Sequence, residues 1–104
     1  MLKKTKIICT QGPATERPGV VDALIANGMN CARFNFSHGD HAEHLNRINM
    51  VREAAKKAGK VISLILDTKG PEMRLGEFKD GKVMLEKGNQ FTLTYEDVPG
   101  DETH

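Results

Sequence analysis

The segment that decides the fold of this chain is Asn30-Cys31-Ala32-Arg33-Phe34-Asn35-Phe36-Ser37-His38-Gly39-Asp40-His41. Its first half predicts a buried strand, and its second half predicts a glycine turn that opens a helix. Side chains of a strand alternate between two faces, so the polar residues fall on one face: Arg33, Asn35 and Ser37. The apolar residues fall on the other: Ala32, Phe34 and Phe36. The polar face is richest at its C-terminal end, where parallel α/β folds place their active sites.

A strand and a helix are expected before this segment. Thr5–Thr10 is a β-branched run that Gly12-Pro13 ends, which predicts a first strand and a turn. Pro18 suits the first turn of a helix, and Gly28 suits its left-handed C-cap. The apolar residues of this helix recur at helical spacing: Val20, Val21, Leu24 and Ile25. The second strand then runs from Met29 or Asn30 to Phe36.

A second helix and a third strand are expected after the segment. Asp40 and Glu43 form a capping box, and Gly59 follows the predicted helix end. The predicted buried stripe of this helix is Leu45, Ile48, Val51 and Ala55. Val61–Leu66 is a nearly continuous apolar strand, as is typical where both faces are covered. The order β-α-β-α-β predicts a parallel α/β sheet with right-handed crossovers.

The pattern changes after Pro71. Three short strands are predicted, joined by turns at Asp80-Gly81 and Gly88-Asn89: Met73–Phe78, Val83–Leu85 and Phe91–Tyr95. We therefore place a domain boundary near Gly70-Pro71, which divides the chain into residues 1–70 and 71–104.

Composition limits the classes of function. The chain has 104 residues, a net charge of +1 and 38% hydrophobic residues, which is typical of a globular domain or part of one. This charge gives no support for nucleic-acid or anionic-membrane binding. No apolar run reaches a membrane-spanning length, and no secretory signal is present at the start. Cys9 and Cys31 lie in apolar runs and are expected to be reduced core thiols, so we predict a cytoplasmic protein.

Polar groups follow all three predicted strands and should converge on one rim. Arg33 offers a planar fork of donors suited to a phosphate or carboxylate. Oxygen donors of the kind that hard cations prefer come from Asn35, Ser37, Asp67 and Thr68. Only one of these oxygen donors is charged, which favours a weakly charged ion. The helix that begins after Gly39 favours a nearby anion.

Simpler interpretations stay open for each residue. Arg33 could be an ion-pair partner, Asn35 and Ser37 could bond loop backbone, and Asp67-Thr68 could cap the loop after the third strand. A zinc site at His38, His41 and His44 is the weaker interpretation, because their spacing gives no tetrahedral set. We expect His41 and His44 on the helix surface.

Three blocks resemble the pyruvate kinase family in order and spacing. They are Lys4–Ala14, Gly28–Gly39 and Leu66–Arg74, and the resemblance covers residues 4 to about 78. The sequences Asn35-Phe36-Ser37-His38-Gly39 and Asp67-Thr68-Lys69-Gly70-Pro71-Glu72 are the most specific parts. The remainder, to His104, is compatible with the start of that family's β-barrel B domain. Gln11, Phe34 and Met73 depart from the aliphatic residues that are more frequent in the family.

The resemblance implies a partial (β/α)₈ TIM barrel with an all-β domain inserted after its third strand. It implies phosphoryl transfer from phosphoenolpyruvate to ADP, with Arg33 as the catalytic residue that contacts the substrate phosphate. The activating K⁺ would bind Asn35, Ser37, Asp67 and the Thr68 carbonyl. The residues implied at the nucleotide phosphates are Asn35, Phe36, Ser37, His38 and Arg74.

The resemblance also implies parts that this sequence does not contain. The family's catalytic Lys and its Mg²⁺-binding Glu/Asp pair lie later in a full chain, so we expect the 104-residue polypeptide alone to be inactive. The full-length protein is expected to be a homotetramer. Two alternatives are a non-catalytic anion- or nucleotide-binding module and a barrel fragment that acts through its sheet edge.

Overall fold

The computed structural model describes residues 2–104 and divides them into two compact units. The first ends at Gly70, and the second is Pro71–His104. The first unit contains β1 (Ile7–Thr10), a 3₁₀ helix (Pro13–Glu16), α1 (Val20–Ala26), β2 (Met29–Asn35), α2 (His41–Ala58) and β3 (Ser63–Asp67). The assignment of the two units to a barrel and a B domain stays a prediction.

The predicted β-α-β-α-β order is confirmed, with a parallel sheet in the order β1-β2-β3. The three strands and α1 are shorter than predicted. The first strand starts at Ile7, because the ladder to β2 begins with the pair Ile7 and Met29. The third starts at Ser63, the partner of Cys31. Helix α1 begins at Val20, two residues after Pro18, behind a left-handed Gly19 with φ of 81°.

The core lies between the sheet and the two helices. Ala32 and Phe34 of β2 are 0% and 1% exposed, and they pack with residues of both helices. The helix residues in this cluster are Val21, Ile25, Val51 and Ala54. The predicted alternation of β2 is therefore confirmed, and Phe34 turns toward the helices while Arg33 occupies the opposite face.

Helix α2 has the predicted ends but a different buried face. The Asp40–Glu43 capping box is formed, and Gly59 ends the helix at φ of 66°. The buried residues are His44, Arg47, Val51 and Ala54, so the predicted stripe is wrong at Leu45, which is 56% exposed. His41 is exposed as predicted, but the surface prediction for His44 is wrong. The reason is that this side of α2 also covers the loop after β2 and the 3₁₀ helix.

The outer strands are less covered than the sequence predicts. Ile65 and Leu66 of β3 are 37% and 53% exposed, so the expectation that both faces of this strand are covered is wrong for the described chain. Helices α1 and α2 pack against β2, where the core forms, and so leave much of β3 exposed. Cys31 is buried and Cys9 is half-buried, and both are free thiols.

The second unit forms the predicted turns but not the predicted strands. The Gly81 amide donates to Phe78 O (2.9 Å) and the Asn89 amide donates to Glu86 O (3.2 Å), which closes both turns. The structure shows no strand in Pro71–His104 beyond a single bridge between Phe78 and Gly100. The three strand predictions are therefore not met, because the alternating segments form no ladder and most of their apolar side chains are exposed. Across residues 2–104, none of the helices is long and apolar enough to cross a bilayer.

Candidate functional site

The carboxyl ends of the three strands bring Arg33 together with Asp67 and Thr10. Arg33 Nε donates to Asp67 Oδ2 at 2.8 Å, and Arg33 NH2 lies 2.5 Å from the same oxygen. Arg33 NH1 donates to Thr10 Oγ1 at 3.1 Å. The sheet register causes this convergence, since Thr10 pairs with Arg33 and Asn35 pairs with Asp67. The interpretation of Arg33 as an ion-pair partner is therefore confirmed, and the partner is Asp67.

Arg33 keeps donors for a further ligand. A guanidinium has five N–H donors, and the contacts to Asp67 and Thr10 use one on each of its three nitrogens. One N–H on NH1 and one on NH2 are left, and the side chain is 33% exposed. An anion can therefore approach the guanidinium without breaking its bonds to the protein.

The oxygen donors lie at the same edge of the sheet. Asn35 Oδ1 accepts the Ser37 amide (3.1 Å), and Asp67 O accepts the Phe36 amide (2.9 Å). Within residues 2–104, no hydrogen bond reaches Asp67 Oδ1. Thr68 follows β3 directly and is exposed. The structure thus places Asn35, Ser37 and Asp67 in one neighbourhood, with the Asn35 amide already used to hold the loop.

The sequence prediction missed the role of His44 at this loop. His44 is 3% exposed, and its Nε2 lies 2.6 Å from His38 O. Its ring stacks on Phe36, with centroids 4.2 Å apart and planes at 11°. The Asp40–Glu43 capping box could have predicted this contact, because it fixes where α2 starts and therefore which way His44 points. A helical side chain covers the turn before its own Cα, which points position 44 back at the loop.

Gln11 has a structural explanation that the sequence did not supply. Its amide extends the β1–β2 pairing by donating to Arg33 O at 2.8 Å, and its side chain is buried. Gln11 Nε2 donates to Cys9 O at 3.1 Å, while Oε1 is buried with no hydrogen-bond partner among residues 2–104. The side chain is therefore buried and bonds back to β1.

Arg74 belongs to the second unit. Its Nε and NH2 donate to the two carboxylate oxygens of Glu72 at 3.0 and 3.1 Å. These hydrogen bonds, and the charge of Glu72, raise the pKa of the Arg74 guanidinium above its ordinary value. The nucleotide-binding role of Arg74 stays a prediction.

The histidines do not form a metal centre in the structure. His44 Nε2 is used by His38 O, and His41 is exposed. The part of the chain from residue 2 onward contains no group of three His, Cys, Asp or Glu side chains that could hold a metal ion.

Known proteins with a similar sequence and fold identify the family. The family profile described as "Pyruvate kinase, barrel domain" matches residues 2–104. The pyruvate kinase of Staphylococcus saprophyticus is 50% identical over 99 residues, and that of Staphylococcus aureus strain USA300 is 48% identical. Each alignment covers 95% of this chain and 17% of the relative, so the chain spans about a sixth of the length of these proteins.

Solved structures give the same result. The crystal structure of Cryptosporidium parvum pyruvate kinase superimposes with a TM-score of 0.77 and 41% identity, covering 95% of this chain and 21% of that one. A second crystal structure of a pyruvate kinase from this organism gives a TM-score of 0.73 at 40% identity. The resemblance predicted from the sequence blocks is confirmed, and the chain belongs to the pyruvate kinase family.

Proposed function

We propose that this chain contributes the first part of a pyruvate kinase active site, which transfers a phosphoryl group from phosphoenolpyruvate to ADP. The observation that carries the proposal is the cluster of Arg33, Asp67 and Thr10 at the carboxyl end of the sheet. Active sites of (β/α)₈ barrels lie at this end. Phosphoryl transfer requires mainly positioning and charge stabilisation, which such a cluster provides.

Arg33 is the proposed contact to the substrate phosphate. Its bonds to Asp67 and Thr10 fix the guanidinium plane, which leaves the remaining NH1 and NH2 hydrogens in a defined direction. A planar fork matches two phosphate oxygens, and its charge offsets the negative charge of the transferred group. Arg33 thus orients the phosphate and stabilises it during transfer.

The oxygen donors fit a monovalent cation. Asp67 Oδ1 accepts no hydrogen bond from residues 2–104, and the other proposed ligands are neutral: Asn35, Ser37 and the Thr68 carbonyl. One carboxylate already paired with a guanidinium suits K⁺ better than a divalent ion. When bound, K⁺ supplies positive charge beside the transferred phosphate. Mg²⁺ is assigned to residues outside this sequence.

The nucleotide phosphates are proposed to lie along Asn35, Phe36, Ser37 and His38. The family resemblance separately assigns a nucleotide contact to Arg74 of the second unit. Ser37 is half-buried and His38 is exposed, so both are reachable from solvent. The family relationship supports the remaining proposals: a cytoplasmic, homotetrameric full-length protein, and an all-β domain that begins in residues 71–104.

The test is pyruvate formation by the full-length product of the gene that encodes these residues. With phosphoenolpyruvate, ADP, Mg²⁺ and K⁺, we expect turnover that depends on all four. We expect no turnover by the 104-residue polypeptide alone, because the resemblance assigns the catalytic Lys and the Mg²⁺ ligands elsewhere. Absence of pyruvate from the full-length product would refute the proposal and favour a non-catalytic anion-binding module, which binding of ADP without turnover would identify.

A further inference from the structure

One buried side chain of α2 joins this helix to the loop after β2. His44 Nε2 lies 2.6 Å from the carbonyl oxygen of His38, which can only accept, so Nε2 donates the hydrogen. The same ring stacks on Phe36 at 4.2 Å. Nδ1 is buried and has no partner among residues 2–104, so the Nε2 bond is the polar interaction that holds this ring.

The other anchors of the loop come from the sheet. Asn35 Oδ1 accepts the Ser37 amide, and Asp67 O accepts the Phe36 amide. The His38 amide donates to Asn35 O at 3.3 Å, which is a weak local turn. His38 is exposed and therefore has little packing of its own. Its carbonyl bond to His44 thus anchors this segment to α2, ahead of the Asp40–Glu43 capping box at the helix start.

We propose that His44 is a positioning residue for the Asn35–His38 segment, and that it acts through the His38 carbonyl and the Phe36 ring without touching a ligand. The inference rests on the proposed function, because that function makes this segment a contact for nucleotide and K⁺. Stacking fixes the direction of Phe36, and the hydrogen bond fixes the peptide between His38 and Gly39. Together they determine where the Ser37 hydroxyl lies.

Two substitutions separate the hydrogen bond from the ring stacking. His44→Phe keeps an aromatic ring against Phe36 but removes the donor, whereas His44→Gln keeps an N–H donor in a smaller side chain. In the full-length gene product, we expect His44→Phe to raise the KM for ADP and the K⁺ concentration for half-activation by about tenfold, the effect of losing one hydrogen bond that holds the segment. We expect His44→Gln to stay within about threefold of the parent protein.

The matched control is Val51→Ala, on the same helix. Val51 is 1% exposed in the core cluster against which Phe36 also packs, but its aliphatic side chain supplies neither a hydrogen bond nor an aromatic ring to the loop. We expect this variant to lower the Tm without changing either constant. Equal constants for His44→Phe and Val51→Ala, at whatever Tm, would show that His44 has only a structural role and would overturn the inference.

Hydrogen exchange gives a readout that does not require catalysis. The Ser37 and His38 amides should exchange about tenfold faster in His44→Phe than in the parent, and Val51→Ala should not change their ratio to the α2 amides. Unchanged exchange at these two amides would overturn the positioning role. If the parent protein makes no pyruvate, the proposed function fails, while this exchange comparison still decides whether His44 holds the segment.

Discussion

Replacement of Arg33 by lysine separates a phosphate contact from an ion pair that serves only the fold. Two of the three Arg33 contacts reach one oxygen of Asp67, at 2.8 and 2.5 Å, and the two side chains are 33% and 44% exposed. Water screens a pair with this exposure, so the whole pair contributes about 1 kcal/mol or less to stability. Lysine keeps the charge and one contact, and we expect a loss of about 0.5 kcal/mol in the free energy of unfolding.

The expected loss of activity is much larger. Lysine cannot bond two phosphate oxygens while it holds Asp67, because it lacks the planar fork. Removal of one donor to the transition state typically reduces kcat by about 10²–10³, which corresponds to about 2.7–4 kcal/mol. We therefore expect Arg33→Lys to lower kcat/KM for phosphoenolpyruvate by at least about a hundredfold in the full-length gene product.

The matched control is Arg47→Lys, which alters a second arginine with a more buried pair. Arg47 Nε lies 2.6 Å from Glu16 Oε1, and the Arg47 side chain is 10% exposed. Urea denaturation should show a greater loss of stability for Arg47→Lys than for Arg33→Lys, while a coupled pyruvate assay shows near-parental kcat/KM. A fall of less than about fivefold for Arg33→Lys, or an equal fall for both variants, would refute the phosphate-binding role.

Two further predictions test the packing and the end of the chain. Phe34→Ala should reduce the free energy of unfolding of the full-length protein by about 3–5 kcal/mol, whereas Leu45→Ala should change it by less than about 0.5 kcal/mol; equal losses in urea would show that the assigned faces are wrong. The Thr103 hydroxyl and amide, with a smaller effect of His104, hold the pKa of Asp101 below its ordinary value of 3.8, so their stabilisation is complete above that pH and is lost as the pH falls through the lowered pKa. Thr103→Val should raise the NMR titration midpoint of Asp101 and Thr103→Ser should not; an unchanged midpoint in Thr103→Val would exclude the hydroxyl as the main cause.

The two faces of β2 could be predicted because their cause is local. Alternation with a period of two places Phe34 and Arg33 on opposite faces whatever surrounds the strand. Burial then selects the apolar face for the helices, and the polar face is left at the site. The same argument could not give the strand ends, since Thr5 extends the β-branched run but has no partner in β2.

The buried face of α2 could not be predicted from apolar spacing. Leu45 is more hydrophobic than His44, yet Leu45 is exposed and His44 is buried. The imidazole is accommodated because it finds a ring and a carbonyl on the preceding loop, and these contacts are tertiary. Arg47 is buried for a similar reason, through Glu16, which lies 31 residues earlier in the chain.

In residues 71–104, the turns, which depend on local sequence, form as predicted, whereas the strands, which depend on distant partners, do not. The turn at Asp80-Gly81 forms as predicted because Gly81 adopts a φ of 75° that few other residues tolerate. A strand needs a neighbour that its own sequence does not specify, and Met73 and Tyr95 remain fully exposed in the structure. The alternating pattern therefore indicates that these segments are able to pair as strands, but it does not predict which pairs form.

The candidate site could be predicted in part from the sequence. A parallel register brings Thr10 beside Arg33 and Asn35 beside Asp67, so convergence of these positions follows from the order of strands. The sequence could not show that the two carboxylate oxygens of Asp67 differ: Oδ2 bonds Arg33, whereas Oδ1 accepts no hydrogen bond in the described part of the chain. This difference lets one carboxylate fix the guanidinium and still face a cation. Under the proposed function, a phosphate that neutralises Arg33 leaves the charge of Asp67 less compensated, which strengthens its attraction for the cation beside it.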